Sequence, residues 1–193
     1  SYDSKISPDV WKLHIADFSI NNSDICLIKG NNMSGKSTFL NIIAGIQPVE
    51  SRLDHMSSFT SSDIHSVANL RGLSKILSNS DNMFPDLSIW DNVRIALPKG
   101  RWGMEKKQRQ ECVNFLDRSD VFSGKSIDNT LGSLSTGARA LVKLCRAHIS
   151  ASRIIVIDEL TSYLDDSRSH FFLDRVMELI KNGASVLIVS HSE

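Results

Sequence analysis

A glycine-rich loop between an apolar run and a helical run constrains this chain more than any other feature. The run DICLIK at residues 24 to 29 is followed by GNNMSGKST and then by FLNIIAG. This order matches the P-loop pattern, in which a strand leads through a phosphate-binding loop into a helix. The pattern predicts an α/β fold and a polyphosphate ligand, but alone it does not distinguish kinases, GTPases and motor ATPases.

The residues of this loop have predicted roles in holding phosphate. Gly30 and Gly35 let the backbone curl so that its N–H groups point inward, and the following helix adds the positive end of its dipole. Lys36 is predicted to reach the β- and γ-phosphates, and the Ser37 hydroxyl is predicted to bind Mg²⁺. The predicted ATP-binding residues of the loop are Gly30, Asn31, Asn32, Ser34, Gly35, Lys36, Ser37 and Thr38.

Three short runs predict a buried parallel sheet. DICLIK at 24 to 29, RIIVID at 153 to 158 and SVLIVS at 185 to 190 are apolar without alternation, as strands covered on both faces would be. Between the last two runs, helical spacing of apolar residues, a cap at Asp165 or Asp166 and a stop at Gly183 predict a crossover helix. A second amphipathic stretch, residues 104 to 118, predicts a helix in a small lobe.

The composition is that of an ordinary globular protein, and its charge balance limits the kinds of partner that it favours. The 193 residues carry 22 Lys plus Arg and 22 Asp plus Glu, so no overall charge favours nucleic acid. No apolar run approaches the ~20 residues of a bilayer-spanning helix, and the first residues do not read as a secretory signal. We therefore expect a cytoplasmic chain with no nucleic-acid partner and no direct membrane insertion. The cysteines Cys26, Cys112 and Cys145 are predicted to be reduced core thiols.

Two adjacent carboxylates end the second apolar run. Asp158 stands at the tip of a predicted buried strand beside the P-loop, where a carboxylate can hold Mg²⁺. Glu159 follows and points the opposite way, so it can polarise the water that attacks the γ-phosphate. The sequence thus predicts Asp158 as a metal ligand and Glu159 as the general base.

The order of motifs resembles that of the ABC ATPase family over nearly the whole chain. Residues 134 to 139, LSTGAR, look like the family's LSGGQ signature, and residues 160 to 165 are similar to its D-loop. Ser190 and His191 are similar to the end of its last catalytic strand and its switch histidine. The stretch from 84 to 93 resembles the part that meets the family's membrane subunit.

This resemblance implies a fold, an activity and partners. The implied fold is a P-loop NTPase core with a mostly parallel sheet flanked by helices, plus a small helical lobe that carries the signature. It implies one domain over residues 1–193, with a core at about 1–78 and 136–193 and a lobe at about 79–135. It further implies an ATP-hydrolysing subunit, with ATP and Mg²⁺ as cofactors, that drives a separate transmembrane subunit from the cytoplasmic face of a membrane.

The signature implies a dimer. Ser135 and the Gly137 amide are expected to donate hydrogen bonds to the ATP held by the facing subunit, as a helix N-terminus can. The facing subunit is either a second copy or another ABC ATPase related by pseudo-symmetry. His191 is expected to bond the γ-phosphate or to hold Glu159 and the attacking water.

The chain departs from the family pattern at three positions. Asn79 stands where the family has the glutamine of its Q-loop, with Ser78 as the alternative position, and we expect Asn79 to contact Mg²⁺ or the attacking water from a side chain one methylene shorter. Ala138 replaces the signature glutamine, and Leu160 replaces a proline after the general base. The changes at Ala138 and Leu160 predict slow hydrolysis rather than none, whereas the change at Asn79 bears on coupling to the membrane subunit. Either Tyr2 or Trp11 is the candidate for stacking on adenine.

Two other functions compete with transport. A soluble ABC ATPase acting on DNA or the ribosome would be expected to carry long helical insertions, tandem cassettes or a basic patch, and the sequence has none of these. A P-loop small-molecule kinase would leave residues 134 to 139 and His191 unexplained. We therefore expect the transporter subunit, with these two as alternatives.

Overall fold

The structure is a computed structural model that describes residues 18–31, 33–44, 74–78, 83–97, 105–117, 122, 124–158 and 164–190. Its strands are β1 (Ile25–Lys29), β2 (Ser74–Leu77), β3 (Ile154–Asp158) and β4 (Ser185–Ser190). Its helices are α1 (Lys36–Ile43), α2 (Ile89–Arg94), α3 (Glu105–Leu116), α4 (Thr136–Ile149) and α5 (Asp166–Lys181). A 3₁₀ turn at Leu131–Ser133 comes shortly before α4.

The described strands form one parallel sheet in the order β1-β4-β3-β2. In the register between β1 and β4, Lys29 lies opposite Ser190, and between β3 and β4, Asp158 lies opposite Val189. Because parallel strands run in one direction, the carboxyl ends of β1, β4 and β3 meet at a single edge of the sheet. The P-loop leaves the sheet at that edge.

Helices cover both faces of this sheet. Leu77, Ile155, Ile157 and Val186 belong to one core with the buried side chains of α4 and α5. Val156, Leu187 and Val189 belong to a second core with Leu40 and Ile43 of α1. Neighbouring residues of a strand point to opposite faces, so unbroken apolar runs are what β3 and β4 need.

The first strand differs from its prediction. Ile25 and Leu27 of β1 are 51% and 53% exposed, whereas a strand covered on both faces was expected. Cys26 and Ile28 pack on the α1 side. Among the described residues β1 is an edge strand, and no described helix covers its second face, so its side chains alternate between packed and exposed.

The two predicted helices are confirmed. Residue Asp165 caps α5, because its carboxylate accepts a hydrogen bond of 2.8 Å from the Arg168 N–H. Beyond its end, Gly183 takes a positive φ of 95°. Helix α3 packs with α2 and α4, and its buried side chains include Cys112, Phe115 and Leu116. No helix in the described part of the chain has the length and apolar character needed to cross a bilayer.

A candidate ATP site at the carboxyl edge of the sheet

The P-loop folds back on its own lysine. Lys36 begins α1 and is only 7% exposed. Its ammonium donates to the carbonyls of Gly30 at 2.5 Å and Asn31 at 2.7 Å. The cation therefore lies inside the loop, where it can face a polyphosphate bound by the surrounding N–H groups.

Two glycines make this curl possible. Gly35 is the N-cap of α1 with φ 92° and ψ 8°, a left-handed conformation that most other residues disfavour. A Cβ on Gly30 would lie 2.9 Å from the Ser34 hydroxyl. Gly35 has no side chain to cap α1, so the first N–H groups of the helix can bind a ligand.

The hydroxyls next to the lysine differ in exposure. Ser37 is exposed, whereas Thr38 is half-buried. An exposed hydroxyl at the first turn of α1 suits the predicted bond to Mg²⁺. Asn32, another predicted ATP-binding residue, lies outside the described residues.

Asp158 ends β3 at the same edge as the loop. It is half-buried, and β4 is the one strand between it and β1. Since adjacent strands are about 4.8 Å apart, the ends of β3 and β1 are separated by roughly 10 Å. Carboxylate and hydroxyl oxygens are ligands that Mg²⁺ favours, so Asp158 and Ser37 fit the predicted metal chemistry.

The last strand ends next to the P-loop. Ser190 pairs with Lys29, the residue before Gly30, so β4 ends directly beside the P-loop. His191 follows Ser190 in the sequence, as Glu159 follows Asp158. These two predicted catalytic residues lie outside the described residues, together with Asn79, Leu160, Tyr2 and Trp11.

The signature-like segment contains the start of α4. Ser135 is the exposed N-cap of α4, and its hydroxyl accepts a bond of 3.3 Å from the Ala138 N–H. Gly137 and Ala138 are buried in the first turn. A hydroxyl that accepts one bond can still donate another, so the predicted donor role of Ser135 is compatible with its capping role.

The stretch at 84 to 93 packs against the 3₁₀ turn that precedes this segment. Asn92 is 1% exposed, and its amide group bonds both the N–H and the carbonyl of Phe84 at 2.8 and 2.9 Å. The Gly132 N–H donates to the Pro85 carbonyl at 2.8 Å. A Cβ on Gly132 would approach that carbonyl to 3.1 Å, so glycine suits this close contact.

Sequence reasoning gave Lys143 no role. This residue of α4 is 6% exposed, and its ammonium donates to the carbonyl of Ser78, the residue after β2. The available signal was a lysine inside the apolar run ALVKLC, where a charge requires a partner. The partner is 65 positions away, so spacing could not identify it.

Two cysteines and one histidine lie on α3 and α4, which pack against each other. Cys112 and Cys145 are free thiols with their sulfurs 3.5 Å apart, and burial raises the pKa of Cys145 well above its usual value. His148 stacks on Phe115, and burial lowers its pKa despite the nearby Glu111. Within the described residues no group of three His, Cys, Asp or Glu side chains could hold a metal.

A family comparison decides among the P-loop classes. The family model described as ABC transporter matches residues 13–162, more than three quarters of the chain, including the P-loop, the signature-like segment and both carboxylates. The chain belongs to the ABC transporter family. The family prediction is therefore confirmed, and this membership supports ATP as the ligand of the loop.

Relatives within the ABC transporter family are similar at low identity. The galactofuranose transporter ATP-binding protein YtfR of Escherichia coli (strain K12) is 26% identical over 97% of this chain and 38% of its own length. The glutamate transport ATP-binding protein GluA of Corynebacterium glutamicum is 28% identical over 95% of this chain and 75% of its own length. The chain thus spans about two fifths of the first of these relatives.

A solved ABC structure supports the fold. It is described as an ATP binding subunit of an ABC transporter, and it aligns with 90% of this chain and 70% of its own with a TM-score of 0.68. At 20% identity this likeness concerns the fold alone. Together with the parallel sheet and its flanking helices, it confirms the predicted fold class of a P-loop NTPase.

Proposed function

We propose that this chain is the ATP-binding and ATP-hydrolysing unit of an ABC transporter. The observation that carries the proposal is the P-loop itself, in which the buried ammonium of Lys36 lies inside a curled loop at the start of an uncapped helix. The family membership and the names of its relatives as transport ATP-binding proteins support the same function.

The proposed ATP site uses the backbone of residues 30 to 38. Lys36 exchanges its bonds to the Gly30 and Asn31 carbonyls for bonds to the β- and γ-phosphates, and the N–H groups at the start of α1 bind the same phosphates. A charge-assisted bond from a buried lysine is about twice as strong as a neutral one. Lys36 is therefore proposed to contribute most to binding the triphosphate.

Hydrolysis is proposed to take place between the loop and the end of β3. Ser37 and Asp158 would hold Mg²⁺, with Asn79 as a further ligand, and that ion would neutralise charge on the phosphate oxygens. Glu159 orients the water and accepts its proton, and His191 bonds the γ-phosphate or holds Glu159 in place. The replacements Ala138 and Leu160 make turnover slow rather than absent.

A head-to-tail dimer is proposed to complete each site. Ser135 is exposed at the start of α4, so its hydroxyl and the Gly137 N–H can bond a nucleotide held by a facing chain. That chain is a second copy or another ABC ATPase. A core of about 1–78 and 136–193 and a lobe of about 79–135 would divide these roles, and the lobe would meet the transmembrane subunit at the cytoplasmic face of a membrane.

Replacement of the general base tests this function. We expect Glu159→Gln to keep ATP affinity, to stop turnover and to accumulate an ATP-bound dimer, because the proton acceptor is lost while the phosphate contacts remain. Phosphate release and light scattering with MgATP measure these effects. Glu105→Gln, at an exposed glutamate of α3, is the control and should behave as the wild type. Normal turnover in Glu159→Gln would remove this residue from the mechanism.

A further inference from the structure

Two cations are buried on the inner side of the signature helix α4. Lys143 is 6% exposed and Arg146 is 8% exposed. Residues three apart on a helix are neighbours on one face, so the two charges point in similar directions. Burying a charge is costly unless hydrogen bonds satisfy it, so both side chains need polar partners.

Lys143 reaches the carboxyl edge of the sheet. Its ammonium donates to the carbonyl of Ser78, and Ser78 directly follows β2. In the pairing of β2 with β3, Leu77 lies opposite Ile157, so the next residues along the two strands are Ser78 and Asp158. Adjacent strands are about 4.8 Å apart, which puts the bonded carbonyl one strand away from the proposed metal ligand.

Arg146 binds the chain where it returns toward α2. One of its guanidinium N–H groups contacts the sulfur of Met83 at 2.8 Å. Ser78 and Met83 are five positions apart and border residues 79 to 82, so both ends of this connection are attached to one face of α4. Helix α4, which follows Ser135, is therefore linked by side-chain bonds to both ends of this connection, and it also packs against β2.

We propose that Lys143 is a positioning residue for ATP hydrolysis. Its bond to the Ser78 carbonyl makes α4 and the carboxyl edge of β2 and β3 move as one body, so contact of Ser135 with a facing nucleotide is transmitted to the edge where Asp158 lies. This role rests on the proposed function. Lys143 acts through the backbone of Ser78 and need not touch the nucleotide.

A purely structural lysine would behave differently. Removing the ammonium leaves the Ser78 carbonyl without this donor, so a purely structural role predicts a loss of stability, with the kcat of the folded protein unchanged. A positioning role predicts instead that the rate of the chemical step falls while nucleotide affinity is kept, because the P-loop itself is intact.

Lys143→Met tests these alternatives, since methionine keeps much of the apolar stem and removes the ammonium. We expect kcat for MgATP to fall roughly tenfold or more, with KM and ATP affinity unchanged within about twofold. Lys143→Arg retains a cationic donor, and we expect it to keep at least about a third of the wild-type kcat. Lys106→Met, at an exposed lysine of α3, is the matched control and should retain wild-type kinetics.

The possible outcomes separate a positioning role of Lys143 from a structural role and from failure of the proposed function. Wild-type kcat in a folded Lys143→Met protein would overturn the positioning role, as would an equal loss of ATP affinity. If Lys143→Met does not fold, Lys143→Arg still decides, because a folded arginine variant with normal ATP affinity and the kcat loss expected of methionine would also overturn it. Absence of hydrolysis in the wild type would contradict the proposed function instead.

Discussion

The starts of α1 and α4 use the same backbone chemistry in different ways. Gly35 precedes α1 in a left-handed conformation with no side-chain cap, and the adjacent Lys36 is folded into the loop. Ser135 precedes α4 in an extended conformation, caps it, and is exposed. The start of α1 forms a loop around its own lysine, called the cradle below. The start of α4 instead presents the exposed hydroxyl of Ser135. Under the proposed function, the two ends act on one nucleotide only when two chains face each other.

A second serine cap shows what is distinctive about Ser135. Ser88 caps α2 with φ −62° and ψ 160°, nearly the same values as Ser135, which has φ −63° and ψ 160°. The Ser88 hydroxyl accepts its bond at 2.9 Å, whereas the Ser135 hydroxyl accepts at 3.3 Å. Since a hydrogen bond weakens with distance, the Ser135 hydroxyl is held less tightly by its own helix.

The largest effect should come from the cradle. We expect Lys36→Ala to weaken ATP binding to the monomer by about 100-fold, because it removes the buried cation that faces the phosphates. Titration of a fluorescent ATP analogue measures this affinity. Lys181→Ala, at an exposed lysine at the end of α5, should bind as the wild type does. Wild-type affinity in Lys36→Ala would show that the loop is not the ATP site.

A smaller effect, on hydrolysis and not on binding, should follow from a change at Ser135, the exposed N-cap of α4. We expect Ser135→Arg to lower the hydrolysis rate roughly tenfold or more without changing ATP affinity of the monomer, because its donor acts across the dimer. Steady-state phosphate release and the same titration separate the two quantities. Ser126→Arg, at another exposed serine, provides the control. A drop in monomer affinity would refute the cross-subunit assignment.

The smallest effects distinguish capping from catalysis. Ser135→Ala and Ser88→Ala should each lower the free energy of unfolding by about 1 kcal/mol, because each removes a helix cap. Urea unfolding measures this loss. Only Ser135→Ala should also slow hydrolysis, and Ser88→Ala serves as its matched control. An equal fall in hydrolysis for both variants would reduce Ser135 to a structural cap.

Local features of the chain could be predicted from the sequence. The P-loop, β3 and β4 are continuous in sequence and obey local rules of turn chemistry and apolar patterning, as does the cap of α5 at Asp165. These features need no knowledge of distant contacts.

Features set by distant contacts were missed. Strand β2, with only four residues including a serine and a lysine, has no apolar run that would reveal it. The exposure of Ile25 and Leu27 follows from which helices cover the sheet, and local composition does not contain that information. The bond from Lys143 to Ser78 joins parts of the chain that only the sheet order brings together.

Mixing two inactive variants tests the head-to-tail site most directly. Lys36→Ala lacks a working cradle, and Ser135→Arg lacks a working signature, so each alone should hydrolyse little ATP. A mixed dimer would contain one intact site, formed by the cradle of the Ser135→Arg chain and the signature of the Lys36→Ala chain. We predict that an equal mixture recovers about a quarter of wild-type hydrolysis, since half of the dimers are mixed and each has one intact site of two. A mixture that remains as inactive as its components would contradict the account.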